Sequence, residues 1–209
     1  MQKRNLLNRK SIRLKGWDYR NPGLYFITIC TKDRAHHFGE IRDGIMGLSV
    51  PGCLAWHFWR EIPKHQANVV LDEFVVMPNH LHGIVGIEAS LKDDQSEEAT
   101  HPVGTLHATS VRDEDRPQSV MSDISPEAGS LSVIMRSYKS AFTRWCNRNG
   151  HKYFDWHPKF YDHIIRNEKA LHRIRKYIYD NPLKWQQDQE NLGGNEIHEQ
   201  AVKYMAADK

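Results

Sequence analysis

Phe74-Val75-Val76-Met77-Pro78-Asn79-His80-Leu81-His82-Gly83-Ile84-Val85-Gly86-Ile87 is the stretch that decides the fold. Two apolar runs flank a Pro-Asn break, which reads as two strands joined by a tight turn, an antiparallel hairpin. Side chains alternate faces along a strand, so His80 and His82 share one face and Leu81 takes the other. Their bases then stand roughly 7 Å apart, and leaning together the imidazole nitrogens reach one divalent ion. The same pattern also describes two histidines on the polar face of a half-buried strand, and spacing alone leaves both readings open.

Outward from this hairpin the elements fall on both sides. Upstream, after Asn21-Pro22-Gly23, Leu24 to Thr31 is β-branched and aromatic, a strand. Ala35 to Ile41 begins a loop or short ribbon, with the adjacent His36 and His37 read as surface residues. Pro51 to Pro63 is helical, because Leu54, Phe58 and Ile62 recur at four-residue steps. Val69 to Met77 is the first strand of the hairpin. Downstream, Leu131 to Arg148 is a helix whose Leu131, Ile134, Tyr138, Ala141, Phe142 and Trp145 line one face. Phe160 to Ile165 is a short strand, and Asn167 caps a last helix over Glu168 to Asp180, stopped by Asn181-Pro182. The order β-α-β-β-α-β-α predicts an α+β, ferredoxin-like (RRM-like) βαββαβ core with antiparallel sheet and an extra C-terminal helix.

Between the hairpin and the Leu131 helix, residues 88–130 carry ten acidic and three basic residues, a balance of −7. The whole chain of 209 residues is +3, so the remainder carries +10. The acidic segment lacks aromatics and is poor in large aliphatics, so it reads as an unstructured insertion. Residues 1–20 form a basic arm with Arg9, Lys10, Arg13 and Lys15, and 186–209 a polar tail, leaving 21–185 as the domain. A basic body suits a polyanion such as nucleic acid, although an ordinary basic surface has the same composition. No apolar run approaches the ~20 residues that span a bilayer, and the start has no long apolar region of the secretory kind. Cys30, Cys53 and Cys146 are scattered without a C-x-x-C pair, which predicts reduced thiols in the cytoplasm.

The last helix carries the remaining chemistry. Tyr177 and Asn181 stand four residues apart and share a helix face. A free tyrosine, with a pKa of ~10, is a poor nucleophile until cations or a metal stabilise its phenolate and polarise the atom it attacks. Spacing does not choose between Tyr177 and Tyr179.

Four stretches in order, Tyr25-Phe26-Ile27-Thr28, Met77-Pro78-Asn79-His80-Leu81-His82, Phe160-Tyr161-Asp162-His163-Ile164-Ile165-Arg166-Asn167 and Tyr177-Ile178-Tyr179-Asp180-Asn181-Pro182, resemble the single-tyrosine HUH transposases, above all their REP-associated tyrosine transposase branch. The resemblance covers about residues 15–185 without the insertion. It implies an enzyme that cuts and rejoins single-stranded DNA near a hairpin. On that likeness His80 and His82 are metal ligands, Asn181 a third, and Tyr177 the nucleophile that forms a 5′-phosphotyrosine link and frees a 3′-hydroxyl. It further implies Mg²⁺ or Mn²⁺ as a Lewis acid, and a monomer or homodimer. His163 matches a family feature without a defined role. The 43-residue acidic stretch and the tail depart from the family pattern.

DNA contacts are expected from the basic arm and from Arg136, Lys139 and Arg144 on the Leu131 helix, cations holding phosphates. The competing function is a non-catalytic RRM-like module that binds single-stranded nucleic acid by stacking bases on its sheet, without metal or tyrosine chemistry.

Overall fold

A computed structural model describes residues 14, 16–89 and 129–187. The arm cations Arg9, Lys10, Arg13 and Lys15, most of the acidic insertion and the tail beyond Gln187 lie outside the described residues.

Four strands, β1 (Gly23–Cys30), β4 (Val69–Val76), β5 (His80–Ile87) and β6 (Tyr161–Ile165), form one sheet in the order β4-β5-β1-β6. All neighbouring pairs are antiparallel. With α1 (Val50–His65), α2 (Leu131–Arg148) and α3 (Glu168–Asp180), this is the ferredoxin-like order of strands and helices read from the sequence. β1 and β5 are central and nearly continuous in apolar residues, because both their faces are covered.

The two faces have different neighbours. Tyr25, Ile27, Ile29, Leu81 and Val85 point into a core with Ala55 and Trp59 of α1 and Ile134, Tyr138 and Phe142 of α2. Phe26 and Ile84 point the other way, against Leu171, Ile174 and Ile178 of α3. Gly83 is where α1 comes closest, since a Cβ there would stand 2.4 Å from the Trp59 ring. On the α3 face the register sets Thr28 opposite His82 and Cys30 opposite His80.

One element exceeds the expectation. The stretch read as a loop or short ribbon is a two-stranded hairpin, β2 (Gly39–Arg42) with β3 (Ile45–Leu48), separate from the main sheet. Its turn is Asp43-Gly44, both left-handed (φ +52° and +75°), the backbone that favours Asp-Gly between paired strands. Ser49 then caps α1, its hydroxyl accepting from the Gly52 N–H at 3.1 Å.

Candidate active site

His80 and His82 reach the α3 face of β5 as alternation requires, and both are buried, at 0% and 2% exposure. Their Nε2 atoms face each other at 3.0 Å. Each ring is held from behind. The Asn79 side chain bridges two groups: Nδ2 donates to the Arg34 carbonyl at 3.2 Å, and Oδ1 stands 2.8 Å from His80 Nδ1. A carbonyl only accepts, so the amide orientation is fixed, and its oxygen must accept the His80 Nδ1 proton. His80 Nε2 is therefore a lone pair. His82 Nδ1 meets Thr28 Oγ1 at 2.8 Å, and its ring stacks on Phe26 with centroids 5.3 Å apart. A hydroxyl both donates and accepts, so Thr28 supports either tautomer of His82.

Burial drives both histidines toward the neutral form. His82 is lowered to about 3, by desolvation first and by the Arg34 charge second. His80 is held well below its ordinary value by desolvation, then by His82, Arg34 and His36. Neutral imidazoles are the form that ligates metals.

α3 brings the phenol. Asn167 opens this helix by accepting from the Ala170 N–H at 2.8 Å, and Ile174 and Ile178 bury its sheet-facing side. Tyr177 is half-buried with its hydroxyl 3.3 Å from His82 Nε2, its ring edge-on to Phe26 (6.0 Å) and to His82 (5.2 Å). Tyr179, two residues on, is 77% exposed. The geometry thus separates the two tyrosines that spacing left equal. Asn181 keeps helical angles (φ −58°, ψ −44°) and is buried, and its Oδ1 has no hydrogen-bond partner among the described residues. Beyond it the turn Pro182–Gln187 lays Trp185 against the His80 ring, 6.0 Å between centroids.

Among the described residues no group of three His, Cys, Asp or Glu side chains could hold a metal ion, so any ion would rest on two imidazoles and an amide. The donors suit one. An orphaned buried amide oxygen wants a donor or a cation. The two Nε2 atoms converge to 3.0 Å, close enough for one ion to be shared between them.

The α2 cations lie on the other side of the sheet. Arg136, Arg144 and Arg148 line an open cleft of about 850 Å³ between α2 and the loop through Asp155, Pro158 and Phe160. Ser132, Ser140, Thr143 and Asn147 alternate with them. Lys139 spans the cleft floor, its ammonium donating to the carbonyls of His157 (2.7 Å) and Pro158 (3.3 Å). Burial lowers it to about 8. His163 sits on β6 opposite Phe26, on the α3 face, one strand from the histidine pair.

Sequence alone does not single out Thr28, Asn79 or Arg34 as neighbours of the histidine pair. Alternation along β1 would have found Thr28, since Phe26, Thr28 and Cys30 share the face that meets His82. Asn79 reads as a turn residue until its side chain is seen to join His80 to Arg34.

No protein-family profile matches the chain. An uncharacterized protein of Haemophilus influenzae is 38% identical over 182 residues, spanning 87% of this chain and 92% of its own. The two chains belong to one family. Among solved structures, a REP-associated tyrosine transposase bound to a REP hairpin superposes with TM-score 0.51 at 21% identity, covering 85% of this chain and 74% of that one. This chain has that transposase's fold. A candidate transposase from Deinococcus radiodurans, at TM-score 0.35 and 17% identity, covers 80% and 95% and is too distant to add to the comparison.

Proposed function

We propose that this protein is a single-stranded DNA transposase of the REP-associated tyrosine type, cutting and rejoining DNA through a covalent tyrosine link. The observation that carries the reading is the Tyr177 hydroxyl 3.3 Å from His82 Nε2, itself 3.0 Å from His80 Nε2. A phenol beside two neutral, inward-facing imidazoles is an expensive arrangement for a fold to keep without a reaction to serve.

Tyr177 is the nucleophile. Its oxygen attacks a backbone phosphorus, leaving a 5′-phosphotyrosine and a free 3′-hydroxyl; the phosphodiester energy is kept, so a 3′-hydroxyl reverses the step and rejoins the strand. Phe26 and His82 hold the phenol ring, while Asn79 and Thr28 hold the imidazoles. His80, His82 and Asn181 would hold Mg²⁺ or Mn²⁺, which as a Lewis acid would draw charge from the scissile phosphate. Arg136, Arg144 and Arg148 in the α2 cleft, with Arg9, Lys10, Arg13 and Lys15 of the arm, neutralise the strand's other phosphates. The hairpin in the complex of the fold relative favours hairpin-forming DNA as the substrate. Phenol and imidazoles come from one chain, so a monomer carries the set; a homodimer would carry two.

The test is a denaturing gel of the protein incubated with labelled hairpin DNA and Mn²⁺ or Mg²⁺. A covalent adduct is expected in the wild type and in Tyr179→Phe, and none in Tyr177→Phe. No adduct with any protein, alongside intact binding, would leave the non-catalytic RRM-like module.

A further inference from the structure

We propose that Arg34 is a catalytic residue of this reaction, binding the phosphate on the leaving 3′-oxygen side, across the histidine pair from Tyr177. The inference rests on the strand-transfer reading above and deepens it.

Position comes first. On the α3 face of β1, Phe26, Thr28 and Cys30 follow one another, and the register sets the last two against His82 and His80. Residues directly opposite in an antiparallel pair have their side chains on the same face. Tyr177 packs on Phe26 and His82, at one end of this row. The Arg34 guanidinium lies at the other end, Nη1 2.8 Å from Cys30 Sγ. Nucleophile and guanidinium therefore bracket the two imidazoles. In-line displacement sets the entering and leaving oxygens on opposite sides of phosphorus, and a phosphate centred on the histidines would turn its leaving oxygen toward Arg34.

The backbone is the second observation. Asp33 and Arg34 are consecutive non-glycine residues with φ of +53° and +57°. Such residues persist only where the surroundings over-determine them, and they cluster at functional sites. Here the surroundings are specific. Thr31 Oγ1 bonds the Ala35 carbonyl (2.8 Å) and the Asn79 carbonyl (3.0 Å), and Asn79 Nδ2 bonds the Arg34 carbonyl. The residue that orients His80 thus also fixes Arg34. A guanidinium at this end of the histidine row can pair with a phosphodiester anion through charge-assisted hydrogen bonds.

In the step, the Tyr177 oxygen bonds phosphorus and the bond from phosphorus to the 3′-oxygen breaks, its electron pair staying on that oxygen. The phenol proton passes to solvent and the leaving oxygen takes a proton from solvent. Arg34 remains protonated throughout and supplies hydrogen bonds and charge.

The test compares two strands of one sequence, the hairpin DNA on which the wild-type adduct is mapped, with either oxygen or sulfur bridging at the 3′ position of the scissile linkage. A thiolate leaves with far less help than an alkoxide. Arg34→Gly, which suits the left-handed backbone, and Arg34→Lys are assayed in Mn²⁺. On the oxygen strand the glycine variant should form adduct about 100-fold more slowly, the loss expected for one transition-state donor. On the sulfur strand its deficit should shrink to about threefold or less, with lysine intermediate on the oxygen strand. An equal deficit on both strands, or none on either, overturns the proposal while leaving Tyr177 chemistry intact. A wild type that forms no adduct sinks the strand-transfer reading, and this inference with it.

Discussion

Arg175 clasps Asp72 across 103 positions of chain, its Nε donating to Oδ1 at 2.8 Å and its Nη2 to Oδ2. Asp72 stands at the register shift in β4, between Leu71 and Phe74, where the ladder with β5 is interrupted and a side chain is re-aimed. Arg175 lies on α3 two residues before Tyr177. The clasp thus sets the rotation of the helix that carries the phenol.

Asp72→Asn should lower stability by about 1 kcal/mol, a bidentate pair discounted for its partial exposure, and should slow adduct formation with Tyr177 intact. The Arg175 hydrogen bonds hold the Asp72 carboxyl below its ordinary value near 3.8. A depressed carboxyl contributes stability above its unfolded pKa and loses it as pH falls through the folded one. The melting-temperature gap between wild type and variant should therefore be full at pH 7 and close in acid, below that ordinary value. A gap unchanged at pH 2 to 3 would rule the clasp out as its source.

Asn79→Ala removes the acceptor that holds the His80 Nδ1 proton. Freed of it, the ring is free to protonate at Nε2 instead. Mn²⁺ affinity, followed by the free-ion paramagnetic resonance signal, should fall by about tenfold or more, as for other outer-sphere partners. Thr28→Val should weaken it in the same way from the His82 side.

Gly83→Ala tests the packing behind the histidines. The added methyl would sit 2.4 Å from Trp59 Cζ2 and 3.1 Å from Phe74 Cβ. Overfilling this contact should cost about 1–3 kcal/mol, read as a lower denaturation midpoint with altered Trp59 fluorescence. A neutral result would mean that α1 shifts freely on the sheet.

The α2 cleft makes a prediction by contrast. Neutralising Arg136, Arg144 or Arg148 should each reduce the salt slope of DNA binding by about one, with little change in melting temperature. Lys139→Gln should do the reverse, because its ammonium ties the 157–158 carbonyls to the helix. If Lys139 proved the strongest contributor to the salt slope, the cleft would be gripping DNA through its floor.

Much of this was legible in the chain. The His80-Leu81-His82 alternation placed both imidazoles on one face because a strand has period two, whatever surrounds it. The Ile174–Ile178 side of α3 was legible for the same kind of reason, and Tyr177 beside Asn181 followed from helical period. What needed the fold was every contact between distant segments. Tyr177 and Tyr179 differ only in which side of α3 meets Phe26, and Arg34 reads as the end of a strand until Asn79 fastens its carbonyl. The β2–β3 hairpin is different: Asp43-Gly44 carried its turn signal in plain view, but Arg42 and Ile45 flank it with too short a run to announce strands. Local chemistry sets faces, and tertiary contact decides which faces meet.

The sheet itself has a last implication. The histidines look out on α3 and the arginine cleft on α2, so the β-layer stands between them as a partition. On the proposed reading, a nucleic acid engaging both would pass around its rim, and oligonucleotides too short for that path would be gripped or cut but not both. The length of the DNA, and not only its sequence, would then set the outcome.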